Sequence, residues 1–233
     1  MTITGHGAAA SLYPFLSAGA SDLDAVRAEV SRSTAEKARE IVELRQSLAG
    51  RHGRQLVECA RHLAASFRAG GTLYTFGNGG SSTDAQDLAQ LFLHPPPPAR
   101  PLPATLAEPA FKPLPAISLT HDVAVLTALS NDVGFEVVFA RQLAAFARAG
   151  DIAFGLSTSG GSPNALRAFA EAARLGMVTV GLAGYDGGAM AEPGVVDYLF
   201  VVPSSSVHRV QEAQTTVYHV LWELTQQALT AEL

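Results

Sequence analysis

The chain has a single cysteine, Cys59, so it cannot close an internal disulfide and it suits a reducing compartment. A lone thiol of this kind reads as a small buried apolar side chain rather than a nucleophile. Only two of the 16 basic residues are lysines, Lys37 and Lys112, and no basic block stands out. Against 21 acidic residues the net charge is −5, and direct nucleic-acid binding is not expected from that balance. No apolar run approaches the roughly 20 residues of a membrane-spanning helix, and none follows a charged start in the manner of a signal peptide. A soluble, cytoplasmic protein is the expectation. Aromatic residues are scarce at 7%, but 48% hydrophobic content in 233 residues suffices for one large core.

What the chain does have is a strand–loop–helix unit between Asp151 and Gly176. Ile152 to Leu156 is an apolar run short enough for a buried strand. Ser157, Thr158, Ser159, Gly160, Gly161 and Ser162 follow. Ser162 suits an N-cap, Pro163 the first helical position and Gly176 the C-terminal cap. Leu166, Phe169, Ala170 and Ala173 give the intervening helix one apolar face. Two glycines let the backbone curl, and the helix start offers free N–H donors and a partial positive charge. Four hydroxyls add donors and acceptors. Such a loop is either a cradle for an anion such as phosphate or an ordinary capped turn between strand and helix. It holds no lysine and no G-x-x-x-x-G-K-[ST], which argues against a nucleotide P-loop.

Residues 1–20 are rich in glycine, alanine and serine and are expected to be flexible. From Ser21 to about Ala49 the spacing of Leu23, Val26, Val30, Ala38, Ile41, Leu44 and Leu48 predicts a helix. Leu56, Cys59, Leu63 and Phe67 predict a second over about 55–69, with Gly50 and Gly53 between them. Residues 21–70 thus read as N-terminal helices with faces to bury on the domain or on another subunit. Thr72–Phe76 is the first strand, and Gly77, Asn78, Gly79, Gly80 and Ser81 form a glycine-rich turn. A helix over about 82–93 completes a second strand–loop–helix unit. Residues 94–113 carry eight prolines and exclude regular helix or central strand. This insertion is a lid, a partner surface or a tolerated surface loop. A short strand at Ala116–Leu119, a helix at Val123–Leu129, a turn at Ser130–Asp132 and a helix over Gly134–Ala147 follow. Val178–Leu182 and Tyr198–Val202 are the last strands, and His208–Leu229 is a long closing helix. Alternating strands and helices predict an α/β fold, a parallel sheet with helices on both faces. Ligands in such sheets sit at the carboxyl ends of the strands, where both glycine/serine loops fall.

The loops also carry a resemblance. Gly77-Asn78-Gly79-Gly80-Ser81 followed by Asp84-Ala85-Gln86 is similar to the first motif of sugar isomerase (SIS) domains of the phosphoheptose isomerase group. Ser130-Asn131-Asp132 resembles that group's G-N-D turn, and Ser157-Thr158-Ser159-Gly160-Gly161-Ser162 its S-T-S-G-N-S phosphate loop, with Gly161 for Asn. Gly184-Tyr185-Asp186-Gly187-Gly188 resembles its T-G-x-D-G-G turn, and Arg209-Val210-Gln211-Glu212 its R-I-Q-E helix start. The resemblance runs collinearly from about residue 55 to the end. It implies an SIS domain over 71–233, a flavodoxin-like five-stranded sheet, a homotetramer with sites at subunit interfaces, and a ketose or aldose phosphate as ligand. By position it gives the phosphate to Ser157, Thr158, Ser159 and Ser162. It gives the sugar to Asn78, Gly79, Ser81, Asp132 and Gln211.

The resemblance breaks at the chemical residues. Isomerisation through an enediol needs a base and an acid on a positioned substrate. Isomerases of the group place a His and a Glu four residues apart after the first glycine loop, and a Gln and a His eight apart on the closing helix. These four can also hold zinc. Here the second pair is Gln211 and His219, but the first is Asp87 and Leu91, and Pro95 stands where an Arg is expected. The Asp expected three residues before Gln211 is His208. His219 is then the candidate acid/base, with Asp87 standing in for the missing carboxylate. Asp87, Gln211 and His219 are a candidate metal set, poor for tight zinc. Two readings follow: a phosphosugar isomerase with altered acid/base residues, or a non-catalytic SIS protein that senses a phosphosugar or associates with a protein partner. The DnaA initiator-associating members of the group also lack the Glu.

Overall fold

The computed structural model describes residues 23–96 and 111–230. The expected flexible start at 1–20, and residues 97–110 of the proline-rich insertion, lie outside the described residues. The chain divides into two compact units, Met1–Glu43 and Leu44–Leu233. In the first unit the described residues are helical, with Val26, Val30 and Val42 exposed.

The helix that begins there, α1 (Leu23–Arg68), is continuous, not the two helices that Gly50 and Gly53 suggested. A glycine inside a helix costs about 1 kcal/mol relative to alanine, which weakens a helix without necessarily breaking it. Here Leu48, His52, Leu56, Cys59, Leu63 and Phe67 are buried at helical spacing on both sides of the glycines. His52 ties the helix to the sheet, with Nε2 3.2 Å from the Val201 carbonyl. Burial of that stripe outweighs the local propensity.

The second unit is built on five strands: β1 (Leu73–Gly77), β2 (Ala116–Ser118), β3 (Ile152–Ser157), β4 (Val178–Gly184) and β5 (Tyr198–Val202). They are all parallel, in the order β2-β1-β3-β4-β5. The helices are α2 (Gly80–Leu93), α3 (Val123–Asp132), α4 (Val138–Phe146), α5 (Pro163–Leu175) and α6 (Val207–Thr230). This is the flavodoxin-like α/β fold. Because β1 pairs with β2 on one side and β3 on the other, the connections leaving β1 and β3 part there and open a crevice at the strands' carboxyl ends.

Two local departures from the sequence reading lie near that crevice. Ser130–Asp132 is the last turn of α3 rather than a free turn, and the Ser130 hydroxyl donates to the Leu126 carbonyl at 2.6 Å. The helix expected from Gly134 starts instead as a 3-10 turn, Phe135–Val137, before α4. Gly134 sits at φ 144 with the Glu136 carboxylate folded over it, where a Cβ would fall 2.7 Å from Oε2. Beneath the crevice, Phe76 packs against Phe139 and Phe169 with ring centroids 5.4 and 5.2 Å away. Gly155 on the neighbouring strand leaves room for this, since a Cβ there would meet both Phe76 and Phe169.

Candidate functional site

The loop after β3 is a ring of hydroxyls. Ser157 is buried, and its Oγ lies 2.9 Å from Ser162 Oγ and 3.4 Å from Ser159 Oγ. Ser162 is the N-cap residue by backbone and Pro163 the first helical residue, as the sequence suggested, and Gly176 caps the other end in the left-handed region. The Ser162 hydroxyl, however, makes no capping bond; it faces Ser157. Ser159 Oγ accepts from Gly161 N at 3.2 Å. The turn after β4 braces this loop: Gly184 N donates to Thr158 O at 3.0 Å and Met190 N to Gly160 O at 2.9 Å. Gly160, at φ 64, lies against the Gly187 peptide, where no side chain fits.

The loop after β1 meets this one through two amides. Asn78 Nδ2 donates to Asn164 Oδ1 and Asn164 Nδ2 to Asn78 Oδ1, both at 2.8 Å. Ser81 is buried at the start of α2, its N–H donating to Asn78 O at 3.0 Å. A cavity of about 450 Å³ opens beside the pair, lined by Asn78, Ser162, Asn164, Phe135, Glu136 and Arg167. Amides, a carboxylate, a guanidinium and one aromatic face are the groups that bind polyhydroxylated ligands. Asp132 lies exposed at the end of α3, accepting from Asn131 Nδ2 at 2.8 Å; no hydrogen bond joins it to the other candidates among the described residues.

On the other side of the first loop, the start of α6 closes over the strand ends. A Cβ at Gly80 would run into the Gln211 amide, and one at Gly184 into Val210. Two turns beyond Gln211, His219 Nε2 lies 3.7 Å from Asp87 Oδ2, with both side chains substantially exposed. Tyr218 OH donates to the same Asp87 oxygen at 2.7 Å, and its ring stacks on His219 at 5.1 Å and 28°. Burial, and then the bond to Asp87, push the Tyr218 phenol above its ordinary value. Asp84, one turn before Asp87, has a buried Oδ2 with no hydrogen-bond partner, and burial followed by the charge of Asp87 pushes its carboxyl up to about 6. Leu91, one turn after Asp87, is buried and apolar. Glu212 is paired with Arg209.

A family model, the SIS domain, matches residues 38–184. The chain belongs to the SIS-domain family. It is 38% identical over 189 residues to a phosphoheptose isomerase of Aquifex aeolicus, covering 81% of this chain and 92% of that one. A phosphoheptose isomerase of Roseiflexus is 41% identical over 177 residues, covering 76% and 83%. Among solved structures, a phosphoheptose isomerase from Neisseria gonorrhoeae superimposes with a TM-score of 0.74 at 29% identity, covering 85% of this chain and 99% of that one.

The structure brings Asn78 to the serine loop, and Asp87, Gln211 and His219 to the junction of α2 with α6. Sequence reasoning missed Asn164, Glu136, Arg167, Asp84 and Tyr218. Asn164 had a signal, lying two residues after the last loop serine. Tyr218 had only its place beside His219.

Proposed function

We propose that this chain is a phosphosugar isomerase of the phosphoheptose isomerase type, working in the cytoplasm on a ketose or aldose phosphate. The hydroxyl ring of Ser157, Ser159 and Ser162 at the α5 N-terminus takes the phosphate, with Thr158 in the same loop. Asn78, Gly79, Ser81, Asp132 and Gln211 take the sugar. Asp87 and His219 sit where α2 and α6 meet, and they carry the proton. A carbon-bound proton beside the carbonyl passes to His219 as its electron pair forms the enediol double bond, and the carbonyl oxygen takes a proton. Return of the proton held by His219 to the former carbonyl carbon, with loss of the hydroxyl proton from the carbon that first gave it up, yields the isomer, and solvent water supplies and takes the oxygen-bound protons. Asp87 orients the imidazole and offsets the charge that His219 gains. The observation that carries this reading is the Asp87–His219 pair, 3.7 Å apart on α2 and α6, two helices whose first turns meet at Gly80 and Gln211 beside the glycine-rich loop.

Zinc fits this site poorly. Asp87, Gln211 and His219 offer one carboxylate, one amide and one imidazole, while Leu91 offers no donor. Among the described residues there is no cluster of three His, Cys, Asp or Glu able to hold a metal. The same buried Leu91 favours the second reading, a protein that binds a phosphosugar without converting it. A one-dimensional NMR time course with sedoheptulose 7-phosphate, with and without zinc, separates the two. New aldose-phosphate signals are expected; broadened sugar signals without conversion establish the binder instead.

A further inference from the structure

The pattern that the resemblance implies has an imidazole and a carboxylate where this chain has Asp87 and buried Leu91, so the one carboxylate at these two positions must be oriented by other means. The structure shows what those means are. Tyr218 OH and His219 Nε2 converge on a single oxygen, Asp87 Oδ2, at 2.7 and 3.7 Å. The Tyr218 ring is 1% exposed and lies against the His219 ring, so the same side chain fixes both the carboxylate and the imidazole face. Asp87 and His219 reach solvent while Tyr218 does not. The phenol therefore cannot touch a substrate; it acts only through its two neighbours. A hydroxyl donating to a carboxylate favours the charged form and holds its rotamer, which is what a partner of a proton-accepting imidazole must have. The bland alternative is an ordinary hydrogen bond joining α2 to α6, and it predicts a change in stability alone.

We infer that Tyr218 is a positioning residue that holds Asp87 beside His219, giving this chain a metal-free Tyr–Asp–His unit in place of the family's donor set. The inference rests on the isomerase reading above. Asp87 faces His219 Nε2, so the carbon proton moves to the other ring nitrogen, Nδ1, and back to the neighbouring carbon; the oxygen-bound protons exchange with solvent water, and Asp87 and Tyr218 keep their protonation throughout.

The test is Tyr218→Phe, which keeps the ring and its stacking, assayed with sedoheptulose 7-phosphate in D2O. Loss of one hydrogen bond to a charged group is expected to lower kcat about 10- to 100-fold with KM within about twofold. Deuterium incorporation at the sugar carbon is expected to fall in parallel. Asp87→Asn, a second variant that keeps an acceptor for the phenol, is expected to lose at least as much. In that background Tyr218→Phe is expected to change nothing further, a coupling that independent structural roles would not give. Full activity of Tyr218→Phe overturns the inference and leaves the isomerase reading intact. So does an undiminished second loss in the Asp87→Asn background, or a natural chain whose turnover a chelator abolishes and zinc restores. Absence of conversion by the unaltered chain removes both the inference and the reading it rests on.

Discussion

Asp84 carries a cost that its surroundings make measurable. Its carboxyl is pushed from 3.8 to about 6 by burial first and by Asp87 second, so the folded chain holds a proton there that the unfolded chain releases. The stabilisation from that proton is complete below about pH 4 and is lost as pH rises through 6. Asp84→Asn mimics the protonated form. It is expected to raise Tm over the natural chain above pH 6 and to leave it unchanged below pH 4, as followed by thermal unfolding across that range. Cys59 is the opposite case: fully buried, its thiol pushed up by burial, it behaves as the apolar side chain its isolation in the sequence suggested. At this scale the placing of the serine loop was legible, because an apolar run before it and a proline-started helix after it mark a turn between strand and helix, as the structure has it. Tyr218 was not, because its partner Asp87 is 131 residues away and only the packing of two helices brings them together.

Helix α1 shows where an element can contradict its own residues. Gly50 and Gly53 have open space where a Cβ would go, and the chain continues helically through both. Gly50→Ala and Gly53→Ala are therefore expected to stabilise the chain by up to about 1 kcal/mol each, seen as a shift in the denaturant midpoint. The sequence reading put a break there because propensity is local and the buried stripe that overrides it is not. The strand positions, by contrast, could be read closely, since buried parallel strands are short apolar runs bounded by turn residues. The 3-10 start at Phe135–Val137 could not, because it depends on Glu136 folding back over Gly134.

At the scale of the molecule, the alternation of strands and helices predicts a parallel sheet, the resemblance implies its flavodoxin-like form, and the crevice follows from the strand order. What alternation cannot specify is which helices stay uncovered. Helix α3 has no buried residue although most of its residues are apolar, and Val123, Val133, Phe135 and Phe146 are exposed in and beside it. We propose that further copies of this chain cover that face, in keeping with a homotetramer. Val123→Glu combined with Phe146→Glu is expected to shift the mass measured by light scattering to a smaller species. An unchanged mass would place the oligomer contact elsewhere.

The pairing of Asp87 with His219 has a consequence for how the protein comes into being. A ribosome that has completed all five strands has already made every serine of the anion cradle, yet it has not made the imidazole. If the chain is the isomerase proposed above, translation order withholds turnover until the last helix emerges, and a chain halted before residue 219 has the serine loop but lacks His219.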